Sequence, residues 1–107
     1  MKIDIQRQPT HAIATIDGAI DGKTAPEVQA ALAPILGDTS VLVLDLTRVG
    51  YMSSAGLRVL LLLHRQLTAK KGKAVLVGLA ENLAETMRIT GFLQFFERHA
   101  TLAEVVI

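Results

Sequence analysis

Val41-Leu42-Val43-Leu44-Asp45-Leu46-Thr47, followed after Gly50 by Tyr51-Met52-Ser53-Ser54-Ala55-Gly56-Leu57-Arg58-Val59-Leu60, decides the fold of this chain. From Val41 to Leu46 the first run is apolar except for Asp45, as a central strand covered on both faces requires. The second opens on two serines and continues as a long apolar helix. Serine is favoured where a helix begins, because its hydroxyl can accept from the free N–H groups of the first turn. The spacing therefore predicts a strand, a short turn and a helix starting at Ser53 or Ser54, with two hydroxyls at the turn.

Working outward, Leu57, Leu60, Leu61 and Leu67 form one stripe of that helix, widened by Val59, Leu62 and Leu63. Arg58, Arg65, Gln66 and Ala69 are left toward solvent. Lys70 and Lys71 fall in the expected last turn, where positive charge suits the dipole, and Gly72 is the expected stop. Upstream, Ile3-Asp4-Ile5 and His11-Ala12-Ile13-Ala14-Thr15-Ile16 alternate apolar and polar about a Gln8-Pro9-Thr10 turn, the pattern of a hairpin. Thr24-Ala25-Pro26-Glu27 reads as a capping box with proline in the first turn, opening a helix from Ala25 to about Leu36 that ends at Gly37. Downstream come a buried strand at Ala74–Val77, a helix from about Glu81 to Thr90 ended by Gly91, and a short extended piece from Gln94 to Glu97. Thr101-Leu102-Ala103-Glu104 is a second capping box. The order is ββαβαβα(β)α, an α/β layer with parallel central strands and helices on at least one face.

Length and composition narrow the function. At 107 residues there is room for one domain, spanning 1–107. Four aromatic residues and no tryptophan leave the core to Leu, Val, Ile and Ala. Eleven basic against ten acidic residues give +1, and the only basic cluster is Lys70-Lys71-Gly72-Lys73, so neither a nucleic-acid partner nor a membrane surface is indicated. The absence of cysteine excludes thiol chemistry and fits a reducing compartment. Met1-Lys2-Ile3-Asp4 lacks a signal-peptide core, and Val59–Leu63 is far shorter than the roughly 20 residues of a membrane span. The expectation is a soluble, cytoplasmic protein without direct membrane insertion.

Catalytic and metal motifs do not assemble. Gly18-Ala19-Ile20-Asp21-Gly22-Lys23-Thr24 resembles a phosphate-binding loop, but three residues separate its glycines where the P-loop needs four. It reads as a turn and helix cap, and a small nucleotide-binding enzyme is disfavoured with it. His11, His64 and His99 lack the paired spacing of a zinc site. Ser54 and His64 lie ten residues apart on one helix, roughly 15 Å along its axis, too far for a nucleophile and its base. Asp45 at a strand end is better explained as an acceptor for the neighbouring turn than as a catalytic acid. No cofactor or metal is expected. A phosphate on a serine at the helix start would meet free N–H donors, while adding about two negative charges to an apolar rim and so ejecting a docked partner.

Gly18-x-Ile20-Asp21, Asp45-Leu46-Thr47, Tyr51-Met52-Ser53-Ser54-Ala55-Gly56-Leu57 and Thr90-Gly91-Phe92, in that order, resemble the STAS family, specifically its bacterial anti-sigma factor antagonists. The resemblance covers essentially the whole chain. It implies a mixed sheet with helices packed mainly on one side, and a partner-switching role without enzymatic activity. The unmodified antagonist binds an anti-sigma factor that is also a serine kinase, freeing a sigma factor. ATP-dependent phosphorylation releases the kinase, and a PP2C-type phosphatase resets the cycle. Members carry Asp-Ser-Ser-Gly-Leu or Asp-Ser-Thr-Gly-Leu with the acceptor two residues before glycine, which places it at Ser54, with Ser53 as the alternative. This chain has Ser53 at the usual acidic position and Ala55 at that of the second hydroxyl. Asp21, Met52, Ser53, Leu57, Arg58 and Leu61 are the residues the resemblance offers to the partner. Its other implied role is that of an adaptor subunit of a lipid-transport ABC complex.

Overall fold

The computed structural model describes residues 1–106, so the last residue of the expected 1–107 span lies outside the described residues. Its strands are β1 (Lys2–Arg7), β2 (Ala12–Asp17), β3 (Val41–Arg48), β4 (Lys73–Val77) and β5 (Glu97–His99). Its helices are α1 (Ala25–Leu36), α2 (Ser54–Thr68) and α3 (Glu81–Ile89), with short 3-10 turns at Leu93–Phe95 and Leu102–Glu104. The five strands form one sheet in chain order, β1-β2-β3-β4-β5. β1 and β2 are the antiparallel hairpin, and β2 to β5 run parallel. Each parallel neighbour is reached through one helix. Crossovers of one hand, repeated in one direction across a sheet, place all their helices on the same face.

That face holds the main core. Ala12, Ala14 and Ile16 of β2, Leu42, Leu44 and Leu46 of β3, and Ala74 and Leu76 of β4 point into it. They meet Val28, Leu32 and Ile35 of α1, the inner side of α2, and Leu83, Ala84 and Met87 of α3. The alternate residues form a smaller cluster on the opposite face, where Val43, Val75 and Val77 are buried and Ile13, Val41 and Val105 pack against them. β3 is therefore buried on the helix side, and on the other side it is buried at Val43 and half-covered at Val41 and Asp45.

Several local expectations are corrected. Thr24 precedes α1 without a side-chain cap bond, and its hydroxyl donates instead to the Ala19 carbonyl at 2.7 Å while accepting from the Asp21 N–H at 2.9 Å. Glu27 is exposed and closes no capping box. α2 stops at Thr68, before Lys70 and Lys71. Lys71 takes the left-handed position (φ 61°), and the Gly72 N–H returns to the Leu67 carbonyl at 2.7 Å. Gly72 is needed for a different reason: a β-carbon there would fall 1.8 Å from the Ser40 carbonyl oxygen. Gln94 belongs to a 3-10 turn rather than an extended piece, and β5 begins only at Glu97. The capping box of Thr101 and Glu104 is present, although it closes a 3-10 turn.

Candidate functional site

The two serines stand at one end of the parallel sheet, where the chain leaves β3 and enters α2. Next to it the segment leaving β2 re-pairs with the β3–α2 connection beyond the sheet itself. The Gly18 N–H donates to the Arg48 carbonyl at 3.2 Å, the Ile20 N–H to Tyr51 at 3.0 Å, and the Ser53 N–H back to Ile20 at 2.9 Å. Ile20 and Met52 thus form an isolated parallel bridge. Gly56, in the first turn of α2, packs onto the same Ile20 backbone, and a β-carbon there would come within 2.6 Å of the Ile20 oxygen. The glycine of the Gly-Leu pair serves this approach of helix to loop.

Ser53, not Ser54, occupies the cap position, with extended backbone (φ −82°, ψ 177°) and its carbonyl accepting from the Leu57 N–H at 3.0 Å. Its hydroxyl makes no cap bond and is buried without a partner among the described residues. Ser54 is the first helical residue and is exposed. No acidic residue stands in the first turn of α2, so its free N–H groups and dipole leave this end electropositive.

Asp21 organises the neighbouring loop. Its Oδ1 accepts from the N–H groups of Lys23 at 2.9 Å and Thr24 at 3.1 Å. The Thr24 and Lys23 N–H groups hold this carboxyl below its ordinary value of 3.8. These are the backbone donors a phosphate loop would offer, and the chain's own carboxylate already takes them. Asp45 likewise accepts from the Thr47 hydroxyl at 2.6 Å and the Thr47 N–H at 3.1 Å. Gly78 (φ +69°) leaves room for that hydroxyl, since a β-carbon there would lie 2.1 Å from it.

Of the residues expected at the surface, Ser54, Leu57, Arg58 and Leu61 come together, lining a groove of about 260 Å³ with Thr90 and Phe92. Leu61 is half-buried and belongs to this groove, and Leu62 is also half-buried; the core stripe of α2 is Leu57, Val59, Leu60, Leu63 and Leu67. Leu57 is largely buried and reaches the groove from the core side, and Arg58 is exposed. Met52 is buried and shapes the site from beneath, against Gly56. Thr90 and Phe92, quoted above only as part of a family segment, join the site here. The signal for them was Gly91: with φ +80°, it turns the chain so that the Phe92 N–H reaches the Met87 carbonyl at 2.9 Å, bringing Phe92 back beside α2. His64 stacks on Phe95, with ring centres 5.1 Å apart, and takes no part in the site. No group of His, Asp or Glu able to hold a metal occurs among the described residues. No helix among them is long and apolar enough to cross a membrane.

The model for the STAS domain matches residues 2–105. The chain is 39% identical over 98 residues to BtrV of Bordetella bronchiseptica, which bears the name of an anti-sigma factor antagonist; the match covers 90% of this chain and 84% of BtrV. It is 35% identical over 99 residues to the anti-sigma-B factor antagonist of Listeria monocytogenes, covering 91% of this chain and 87% of that protein. Among solved structures, the anti-sigma factor antagonist SpoIIAA in its unphosphorylated form superposes with a TM-score of 0.82 at 16% identity, covering 96% of this chain and 91% of that one. The phosphorylated form of SpoIIAA, a Bacillus cell fate determinant, gives 0.77 at 17% identity, with 96% and 95% covered. At these identities the structures share the fold. The matched span, the one-sided α/β sheet and the serine-headed α2 have one source: the chain belongs to the STAS domain family.

Proposed function

We propose that this chain is a non-enzymatic, cytoplasmic anti-sigma factor antagonist, a single STAS unit switched by phosphorylation of Ser54. Unmodified, it binds an anti-sigma factor with serine-kinase activity through Leu57, Arg58 and Leu61, with Asp21, Met52 and Ser53 shaping the surface, and a sigma factor is set free. The kinase transfers the γ-phosphoryl group of ATP to Ser54 Oγ; the hydroxyl proton is lost and ADP leaves. The added charge at the rim of an apolar groove then expels the kinase. A PP2C-type phosphatase hydrolyses the ester with water, returning serine and inorganic phosphate.

The observation that carries this reading is the contrast between the two serines. The Ser54 side chain is open to an incoming kinase, whereas the Ser53 hydroxyl is buried without a partner among the described residues. Names borne by the relatives, and the existence of SpoIIAA in both phosphorylation states, support the same cycle.

The test is phosphorylation by the kinase that co-purifies with the unmodified chain, with the product mapped by mass spectrometry. Ser54→Ala is expected to bind the kinase and accept no phosphate, and Ser54→Asp to bind poorly. Wild-type phosphate incorporation into Ser54→Ala would overturn the assignment.

A further inference from the structure

Arg58 follows Ser54 by four residues on α2, one turn along the same side of the helix, and both line the groove closed by Thr90 and Phe92. Side chains at this spacing are neighbours, with β-carbons roughly 6 Å apart, and a negative group placed N-terminal to a positive one is the favourable order. Arg58 is exposed and enters no ion pair among the described residues. Among them it is the one charged residue lining this groove, and also the one charged residue lining the groove on its other side, between α1 and α2. α2 itself contains no Asp or Glu. The guanidinium therefore stands on a ridge between two grooves, with no carboxylate of the described residues lining either.

Resting on the reading of Ser54 as the acceptor, we infer that a phosphoryl group there is bound within the chain by Arg58. The modification then does more than add negative charge: it withdraws the groove's positive side chain from the surface offered to the partner. The geometry suits the chemistry. A phosphate ester presents three acceptor oxygens, the guanidinium fork matches two of them at once, and the free N–H groups of the first turn of α2 remain for the third. Within α2 the next cation is Arg65, eleven residues beyond Ser54, so none in the helix is as close as Arg58. The partner meeting the unmodified surface is accordingly one that sets an apolar side chain into the groove and a carboxylate on Arg58, and it loses the second contact when the phosphate arrives.

The test places phosphoserine at position 54 by genetic encoding, so that no kinase is needed, and follows the phosphate by phosphorus NMR across its second ionisation. Pairing with Arg58 favours the dianion, so the wild-type phosphate is expected to titrate a few tenths of a pH unit or more below that of Arg58→Gln. Arg58→Lys should recover most of the shift, and Arg65→Gln, an exposed arginine further along α2, should leave it unchanged. Melting temperatures of the Ser54 and phosphoserine forms, each measured with Arg58 intact and in the Arg58→Gln variant, close a cycle in which phosphate stabilises the arginine form more than the glutamine form. Identical titration of the wild type and Arg58→Gln would overturn the inference. Failure of the Ser54 assignment would appear elsewhere, in the mapped product of the kinase reaction.

Discussion

Gly56 lies so close to Ile20 that a β-carbon on it would stand 2.6 Å from the Ile20 carbonyl oxygen and 2.6 Å from Met52 Cγ. Methionine can yield, but a backbone oxygen that already accepts from the Ser53 N–H cannot move without breaking that bond. Gly56→Ala gains up to about 1 kcal/mol of helix propensity and loses about 1–3 kcal/mol to overpacking. The expected outcome is a net loss of up to about 2 kcal/mol in urea unfolding, with kinase binding weakened further because the start of α2 is displaced. A variant at least as stable as the wild type would show that the two segments can part freely.

Ser53→Ala should behave unlike an ordinary cap substitution. Replacing a bonded cap serine costs about 1 kcal/mol, whereas here the hydroxyl is buried and unpartnered among the described residues, so its removal relieves a desolvated polar group. Stability is expected to stay within about 0.5 kcal/mol of the wild type or to rise. Phosphorylation should persist. Denaturant midpoints with phosphate incorporation measure both, and a loss of about 1 kcal/mol or more would mean that the hydroxyl caps the helix in solution.

Leu60 and Leu61, adjacent in sequence, separate folding from binding. Leu60 is 1% exposed in the core, and Leu60→Ala should cost about 2–5 kcal/mol. Leu61 is half-buried and lines the groove beside Ser54; Leu61→Ala should cost less than about 1.5 kcal/mol while weakening capture of the kinase severalfold. Calorimetric unfolding and a binding titration on both variants decide it. Equal effects on stability would return Leu61 to the core stripe.

Asp21 makes acid stability a report on the loop beside Ser54. Its carboxyl is held below 3.8 by the Thr24 and Lys23 N–H groups, so the unfolded chain takes up that proton first as pH falls. The stabilisation is complete above the ordinary value and is lost as pH drops through the lowered one. Asp21→Asn keeps an acceptor but no titration, so the stability difference between wild type and variant should shrink below about pH 4. A difference constant from about pH 6 to about pH 2 would mean that the carboxylate is not bonded to the loop. For kinase binding, Asp21→Asn should act more mildly than Asp21→Ala, since the loop depends on the acceptor oxygen.

Sequence patterning captured most of what depends on neighbours along the chain, though not the cap of α1, the end of α2 or the turn at Gln94. The alternation of β1 and β2, the apolar β3, the bounds of α1 and the Thr101–Glu104 box all follow from residues within a turn or a strand of one another. The family resemblance added the serine that the proposed function rests on. Most of what escaped the sequence lies in contacts between distant segments. Gly72 looks like a helix stop, but is dictated by Ser40, far back along the chain. One miss is local: Thr24 looks like a cap, but Asp21 turns the loop three residues earlier and the threonine hydroxyl is drawn to Ala19. Leu61 fits an apolar stripe by periodicity, and only the return of Phe92 through Gly91 shows that this side of α2 faces a groove. The buried state of the Ser53 hydroxyl has no local signal at all.

The bridge between Ile20 and Met52 has a bearing on how fast and how tightly a partner is held. Loops that carry recognition surfaces usually wander, and each side chain stilled on binding costs about 0.5–1.5 kcal/mol. Here the two segments that present Asp21 and Ser54 are laced to each other before any partner arrives, and α2 is pressed onto that lacing at Gly56. Little is left to freeze. Under the proposed cycle, a surface so built would be taken up again unaltered in shape once the phosphate is removed.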